Sequence, residues 1–171
     1  MIFVTVGTDH HPFDRLIKKV DELFGDRRLA GPVFMQTGAA RYRPRFCKNM
    51  PFLGFDEMMD YINRASIVIT HGGPGSIMPV LYAGKIPVVV PRRKKYQEVV
   101  DEHQLYFARR LKRLKNAVVV EDMAYLEEAV SDYDKIIHQM KLEGEKESVC
   151  IDYRKDFIKE LEKALAEIVK V

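Results

Sequence analysis

The stretch Ile67-Val68-Ile69-Thr70-His71-Gly72-Gly73-Pro74-Gly75-Ser76 decides the fold. Its apolar half reads as a strand buried on both faces, and it runs out into three glycines and a serine ahead of a helical period. Glycines turn with positive φ and let a ligand come close to backbone amides. A helix starting there aims its unpaired N–H groups and the positive end of its dipole at the same spot. The stretch predicts a backbone cradle for phosphate and a diphosphate-bearing ligand.

Working outward, short apolar runs at 2–6, 33–36, 52–53, 87–90 and 117–120 join 67–70 as strands. They lack polar alternation, as strands do when helices cover both faces of a parallel sheet. Between them lie helical periods. Phe13, Leu16, Ile17, Val20 and Leu23 share one stripe, and Met58, Met59, Ile62 and Ala65 share another behind Asp56 as N-cap. A third helix opens at Ser76 with Pro79 in its first turn and ends at Gly84. A long helix covers 96–114, helical segments cover 123–142, and 143–148 reads as an exposed loop. The alternation predicts an α/β doubly wound, Rossmann-like parallel sheet with its ligand at the carboxyl ends of the strands. All 171 residues fit a single domain with a core over about 1–142. An amphipathic helix at about 152–170 carries Tyr153, Phe157, Leu161, Leu165 and Ile168 on one face. It either docks on its own sheet or reaches across to a second domain.

Bulk composition narrows the class. With 47% apolar and 31% charged residues the chain is a soluble globular protein, and a net charge of +3 gives no case for nucleic acid. Two cysteines, Cys47 and Cys150, stand outside any metal-ligand spacing and fit a reducing cytosol. Neither a signal peptide nor a membrane span is expected. The basic excess is local, in Arg92-Arg93-Lys94-Lys95 and in 109–115. A solvated face is the plain reading; the sharper one is a surface for anionic lipid headgroups or a diphosphate. On that second reading Arg92 and Arg93 contact a uronate carboxylate or an acceptor diphosphate.

Candidate chemistry gathers at the same sheet edge. Gly7 and Thr8 follow the first strand, and His10 and His11 are the candidates there for a base near neutral pH. His103 and Gln104 follow the fifth strand with groups able to bond phosphates or sugar hydroxyls. No metal is expected: Asp132-Tyr133-Asp134 spells DxD, but in a helical stretch away from the ligand edge. Walker, GxGxxG and GxSxG motifs are absent.

Together these residues resemble a family. Met1-Ile2-Phe3-Val4-Thr5-Val6-Gly7-Thr8 with Pro12-Phe13-Asp14-Arg15-Leu16-Ile17, the Thr70 to Ser76 loop, Gly84-Lys85-Ile86-Pro87-Val88-Val89-Val90-Pro91 and Asp101-Glu102-His103-Gln104 look like the C-terminal domain of glycosyltransferase family 28. The likeness covers roughly residues 1–120. It is nearest to free-standing members: PssE-like exopolysaccharide and capsule transferase subunits, and the catalytic subunit of the dolichol-linked GlcNAc transferase. The resemblance implies the MurG-like donor half of a GT-B enzyme. Such a half binds a UDP-sugar without metal or other cofactor and transfers a hexose, with inversion, to a polyprenyl-diphosphate-linked acceptor. The acceptor site and base then belong to a membrane-anchored partner subunit, held in part by the last helix, with this chain cytoplasmic and peripheral on the inner membrane face through that partner. By position, Gly7 and Thr8 face the cleft, and Phe52, Leu53, Gly54 and Phe55 lie along uracil. His71, Gly72, Gly73, Pro74, Gly75 and Ser76 cradle the diphosphate, while His103 and Gln104 touch sugar or phosphate. One departure stands out: Pro79 occupies the place of the glutamate that usually holds the ribose hydroxyls. Two other classes stay open, a non-catalytic nucleotide-sugar-binding module and a complete small enzyme using His10, His11 or His71.

Overall fold

A computed structural model describes residues 1–147. The expected helix at 152–170, Ser148 and Cys150 lie outside the described residues. In chain order the elements are β1 (Ile2–Thr5), α1 (Asp14–Gly25), β2 (Val33–Gln36), β3 (Lys48–Met50), α2 (Phe55–Arg64) and β4 (Ile67–His71). There follow α3 (Pro74–Tyr82), β5 (Val88–Val90), α4 (His103–Arg113), β6 (Val118–Val119), α5 (Leu126–Ser131) and α6 (Tyr133–Glu147).

The described strands form one parallel sheet in the order β3-β2-β1-β4-β5-β6. Chain direction across the sheet reverses between β1 and β4, the place where a doubly wound sheet opens a crevice at its carboxyl edge. Register brings Thr5 level with Gln36 on one side and Thr70 on the other; Thr5 and Gln36 line the floor of that crevice, and Thr70 is buried beneath it. Both faces are covered, which explains the unbroken apolar strands. Ile2, Val4, Ile69 and Val88 pack toward Leu16, Ile17 and Val20 of α1 and Leu126 of α5. Phe3 and Val68 point the other way, toward Ile62 of α2 and Val80 of α3. Tyr61 stacks on Phe34 and Phe3 at 4.0 and 5.3 Å between ring centres.

Several expected boundaries move. The third strand is Lys48–Met50 rather than 52–53; it is an exposed edge, so no apolar pattern marks it. The N-cap of α2 is Gly54, not Asp56, because the Glu57 carboxylate reaches back to the Gly54 amide at 3.0 Å. Helix α3 begins at Pro74 with Gly73 as N-cap, two residues ahead of Ser76. Proline's fixed φ favours that first helical position, and Pro79 consequently falls in the helix interior, where it offers no N–H to the Gly75 carbonyl. The expected 96–114 helix is shorter at its start. A 3-10 turn at Lys94–Tyr96 ends on Gln97 at φ 58°, and α4 begins only at His103. Here side-chain carboxylates capture local amides in place of a helical ladder: Glu98 takes Arg93, Glu102 takes Lys94 and Asp101 takes His103, at 2.9 to 3.2 Å. Finally, α6 continues through 143–147, where a loop was expected.

Candidate functional site

Gln36, the one polar residue of β2, ties the crevice floor together. Its Oε1 accepts from Thr5 Oγ1 (2.7 Å) and from the Gly7 amide (3.1 Å), while its Nε2 donates to the Gly7 and Pro51 carbonyls (2.9 and 2.8 Å). One buried side chain therefore fixes the loops after β1 and β3. Gly7 has φ +74°, and a Cβ there would lie 2.5 Å from His71 Nε2, so the loops after β1 and β4 touch only because that side chain is absent.

The glycines after β4 serve two purposes. A Cβ on Gly72 would meet the Gln104 carbonyl oxygen at 2.8 Å, and one on Gly73 would meet the His71 ring at 2.2 Å. These two allow the loop to pack. A Cβ on Gly75 would meet nothing within 4 Å, because Gly75 faces the open cleft at the N-terminus of α3. Gln104 secures the loop from behind: its Oε1 accepts from the Gly72 and Arg92 amides (3.0 and 3.3 Å).

His71 sits under this loop. Its Nδ1 accepts the Gly73 N–H at 3.1 Å, which places the ring proton on Nε2, 2.9 Å from Ser76 Oγ. Burial first, and the Arg92 charge second, lower its pKa to about 4 against smaller opposing effects of Gln104 and Asp9, so the ring is neutral at pH 7. Since Ser76 Oγ accepts from the ring, its own proton is left to donate into the cleft it lines.

The cleft, about 420 Å³, has Thr5, Gln36 and His71 beneath, Gly7, Thr8 and Asp9 on one rim, Gly75 and Ser76 on the other, and Leu53 with Met58 as an apolar wall. Burial works to raise the Asp9 pKa, but the His11 amide and ring and the Arg92 charge outweigh it and keep the carboxylate ionised. Gly72 and Gly73 donate to Gln104 and His71, Pro74 has no N–H, and the Ser76 and Ile77 amides turn back to the Gly73 carbonyl. The Gly75 N–H, the Ser76 hydroxyl and the positive dipole end of α3 therefore make this rim an anion-binding surface.

Other candidate residues are placed apart from this cleft. Arg92 is only 1% exposed. Its guanidinium donates to the Val6, His11 and Glu98 carbonyls at 2.7 to 3.1 Å and lies over the Phe13 ring. It is an internal strut, which corrects its reading as an acceptor contact. Arg93 is engaged with Glu102 at 3.1 Å. His103 is exposed and paired with Asp101 at 2.8 Å; Gln104 holds the loop rather than lining the cleft. Phe52 and Phe55 are exposed beyond the Leu53 wall, and Gly54 caps α2. His10 is exposed, and His11 has Nδ1 2.7 Å from Asp9 Oδ1; both line a neighbouring cavity of about 490 Å³ with Arg15 and Arg41. Donor atoms of Asp9, His10 and His11 lie within 4.8 Å of one another, the set among the described residues able to hold a divalent ion. Asp132 and Asp134 stand at the α5–α6 junction, away from the carboxyl edge. Gln36, Thr5, Asp9 and Met58 were missed as site residues. The available signal was a lone glutamine closing an apolar strand.

With this geometry in view, comparison with known proteins is decisive. Residues 1–161 match the glycosyltransferase family 28 C-terminal domain. The chain belongs to that family. A curated relative, the UDP-N-acetylglucosamine transferase subunit ALG13 of Yarrowia lipolytica (strain CLIB 122 / E 150), is 37% identical over 76 residues, 43% of this chain and 37% of the relative. Among solved structures, spinosyn forosaminyltransferase SpnP has a TM-score of 0.54 at 16% identity, covering 96% of this chain and 43% of SpnP. The kitacinnamycin glycotransferase has a TM-score of 0.52 at 18% identity, covering 84% of this chain and 40% of its own. These likenesses show the fold, that of GT-B glycosyltransferases. The matched part of this chain spans about two-fifths of the length of each of these three proteins.

Proposed function

We propose that this chain is the donor-binding, catalytic subunit of a two-subunit inverting glycosyltransferase. The Gly75–Ser76 rim carries the reading: an α3 terminus and a hydroxyl oriented by neutral His71 converge on a cleft of about 420 Å³. A UDP-sugar seats its pyrophosphate on that rim, with uracil toward Leu53 and Met58. Similarity to ALG13, a subunit by name, supports both the donor and the need for a partner. The acceptor is a polyprenyl-diphosphate-linked saccharide of exopolysaccharide or capsule synthesis, presented by a membrane-anchored subunit.

In the transfer step an acceptor hydroxyl attacks the anomeric carbon and inverts it. The C1–O bond to the β-phosphate breaks, and the departing UDP keeps the electron pair. The hydroxyl proton passes to a base on the partner. The Gly75 amide, the Ser76 hydroxyl and the α3 dipole stabilise the charge that develops on UDP, each well-aimed donor contributing about 3 kcal/mol, so no divalent ion is required. Asp9 is positioned to accept a hydrogen bond from a sugar hydroxyl at the opposite rim. Reconstitution tests this. The chain alone is expected to bind UDP and transfer slowly, with hexose transfer rising many-fold when the partner is added. Rapid transfer to a soluble acceptor by the chain alone contradicts the split enzyme. A second reading, a non-catalytic binding module, is favoured by the placement of His10 and His11 in the neighbouring cavity. UDP binding with no transfer by the reconstituted pair would decide for it.

A further inference from the structure

Helix α4 buries Leu105, Ala108 and Leu111 against the sheet and turns the opposite stripe outward. At 100° per residue the centre of that outward stripe is Tyr106, Arg110, Arg113 and Leu114. Tyr106 is 65% exposed and Leu114 45%. Just before the helix come Lys94, Lys95 and Tyr96, and then Val100, 67% exposed. Bonds from the Arg93 guanidinium and the Lys94 amide to Glu102 tie this turn to the start of α4.

Two ordinary explanations cover part of this surface. Cations in the last turn complement the helix dipole, and Arg93 and Arg109 are matched by Glu102 and Glu121. Neither accounts for Lys94, Lys95, Arg110 and Arg113, which have no carboxylate ion pair among the described residues (Lys95 lies over the Tyr96 ring at 4.7 Å), interleaved along the chain with exposed Tyr96, Val100, Tyr106 and Leu114. A solvated helix and its approach gain nothing from exposing Tyr106, Leu114 and the preceding Val100. At a charged bilayer surface the same set is complementary throughout: lysine and arginine meet anionic headgroups, tyrosine suits the interface, and short apolar groups enter it. No helix among the described residues is long and apolar enough to cross a membrane, so such contact would be lateral.

The geometry points to this face as a direct docking surface for an anionic lipid bilayer. The N-terminal end of α4 lies at the carboxyl edge of the sheet, where Gln104, on the inward side of the helix, holds the glycine loop. The inference does not depend on the transferase reading, because lipid binding is measured without sugar transfer.

The test is sedimentation of the full chain with vesicles of phosphatidylcholine, alone or mixed with phosphatidylglycerol, at low and high salt. Binding is expected only to the mixed vesicles and is expected to weaken with salt. The double variant Arg110→Gln/Arg113→Gln should bind about thirty-fold more weakly, the effect of two cations at ~1 kcal/mol each. Tyr106→Ser should weaken binding at both salt levels. A charge-matched control, Lys18→Gln/Lys48→Gln, alters exposed lysines on α1 and β3 and should bind as the parent does. Equal loss in the control, equal binding to both vesicle types, or retention on heparin without vesicle binding would overturn the proposal.

Discussion

Burial and the Arg92 charge keep the His71 ring neutral, so at the residue scale its part is to set the direction of the Ser76 proton. Ser76→Ala should therefore weaken UDP binding about tenfold, the ~1.5 kcal/mol typical of one hydrogen bond to a charged group, with little change in the unfolding midpoint. Calorimetric titration checks this, and unchanged affinity would remove Ser76 from the site. The same ring makes a pH prediction. Its folded pKa, about 4, lies below the 6.5 of an unperturbed histidine. Between those values the unfolded chain binds a proton that the folded chain refuses, so stability falls as pH drops through that window. The full effect is about 3 kcal/mol. Denaturant unfolding at about pH 7 and about pH 4.5 should show a larger acid loss for the parent than for His71→Gln, and equal losses would contradict it. Little of this was legible beforehand. Glycines and His71 were visible as a loop, but Gln36 and Arg92 became meaningful only when distant strands brought their partners within reach.

At the element scale, the strands and helices that pack on both sides were legible because apolar periodicity records burial directly. Boundaries set by side chains bonding to the backbone were not. Glu98, Asp101 and Glu102 hold a turn where helical spacing alone predicts a helix, and β3 is an exposed edge without an apolar signature. Pro74 did carry the start of α3, but Ser76, the more familiar cap residue, drew the expectation two positions too far. Lys85 shows how elements support the site. Its ammonium donates to the Ile62, Asn63 and Ala65 carbonyls at 2.5 to 2.7 Å, closing the C-terminus of α2, the helix that carries Met58. Lys85→Met keeps the stem and leaves those carbonyls without their donor. A loss of about 2 kcal/mol is expected, read as a lower urea midpoint with an unchanged slope. An unchanged midpoint would mean that water caps the helix as well.

At the scale of the whole molecule, strand order fixes function more firmly than any side chain. The reversal between β1 and β4 opens the cleft, and every loop that lines it leaves the carboxyl edge. That arrangement was legible from the β/α alternation and the glycine loop together. The chain spans about two-fifths of the structures it resembles. The most direct measurement is a calorimetric titration of the full chain with UDP, first with a chelator and then with magnesium. Saturable binding of one UDP per chain, equally tight in both and weakened by Ser76→Ala, is the predicted result. Binding that is absent, or that appears only with magnesium, would contradict a pyrophosphate held by backbone amides and a histidine-oriented serine.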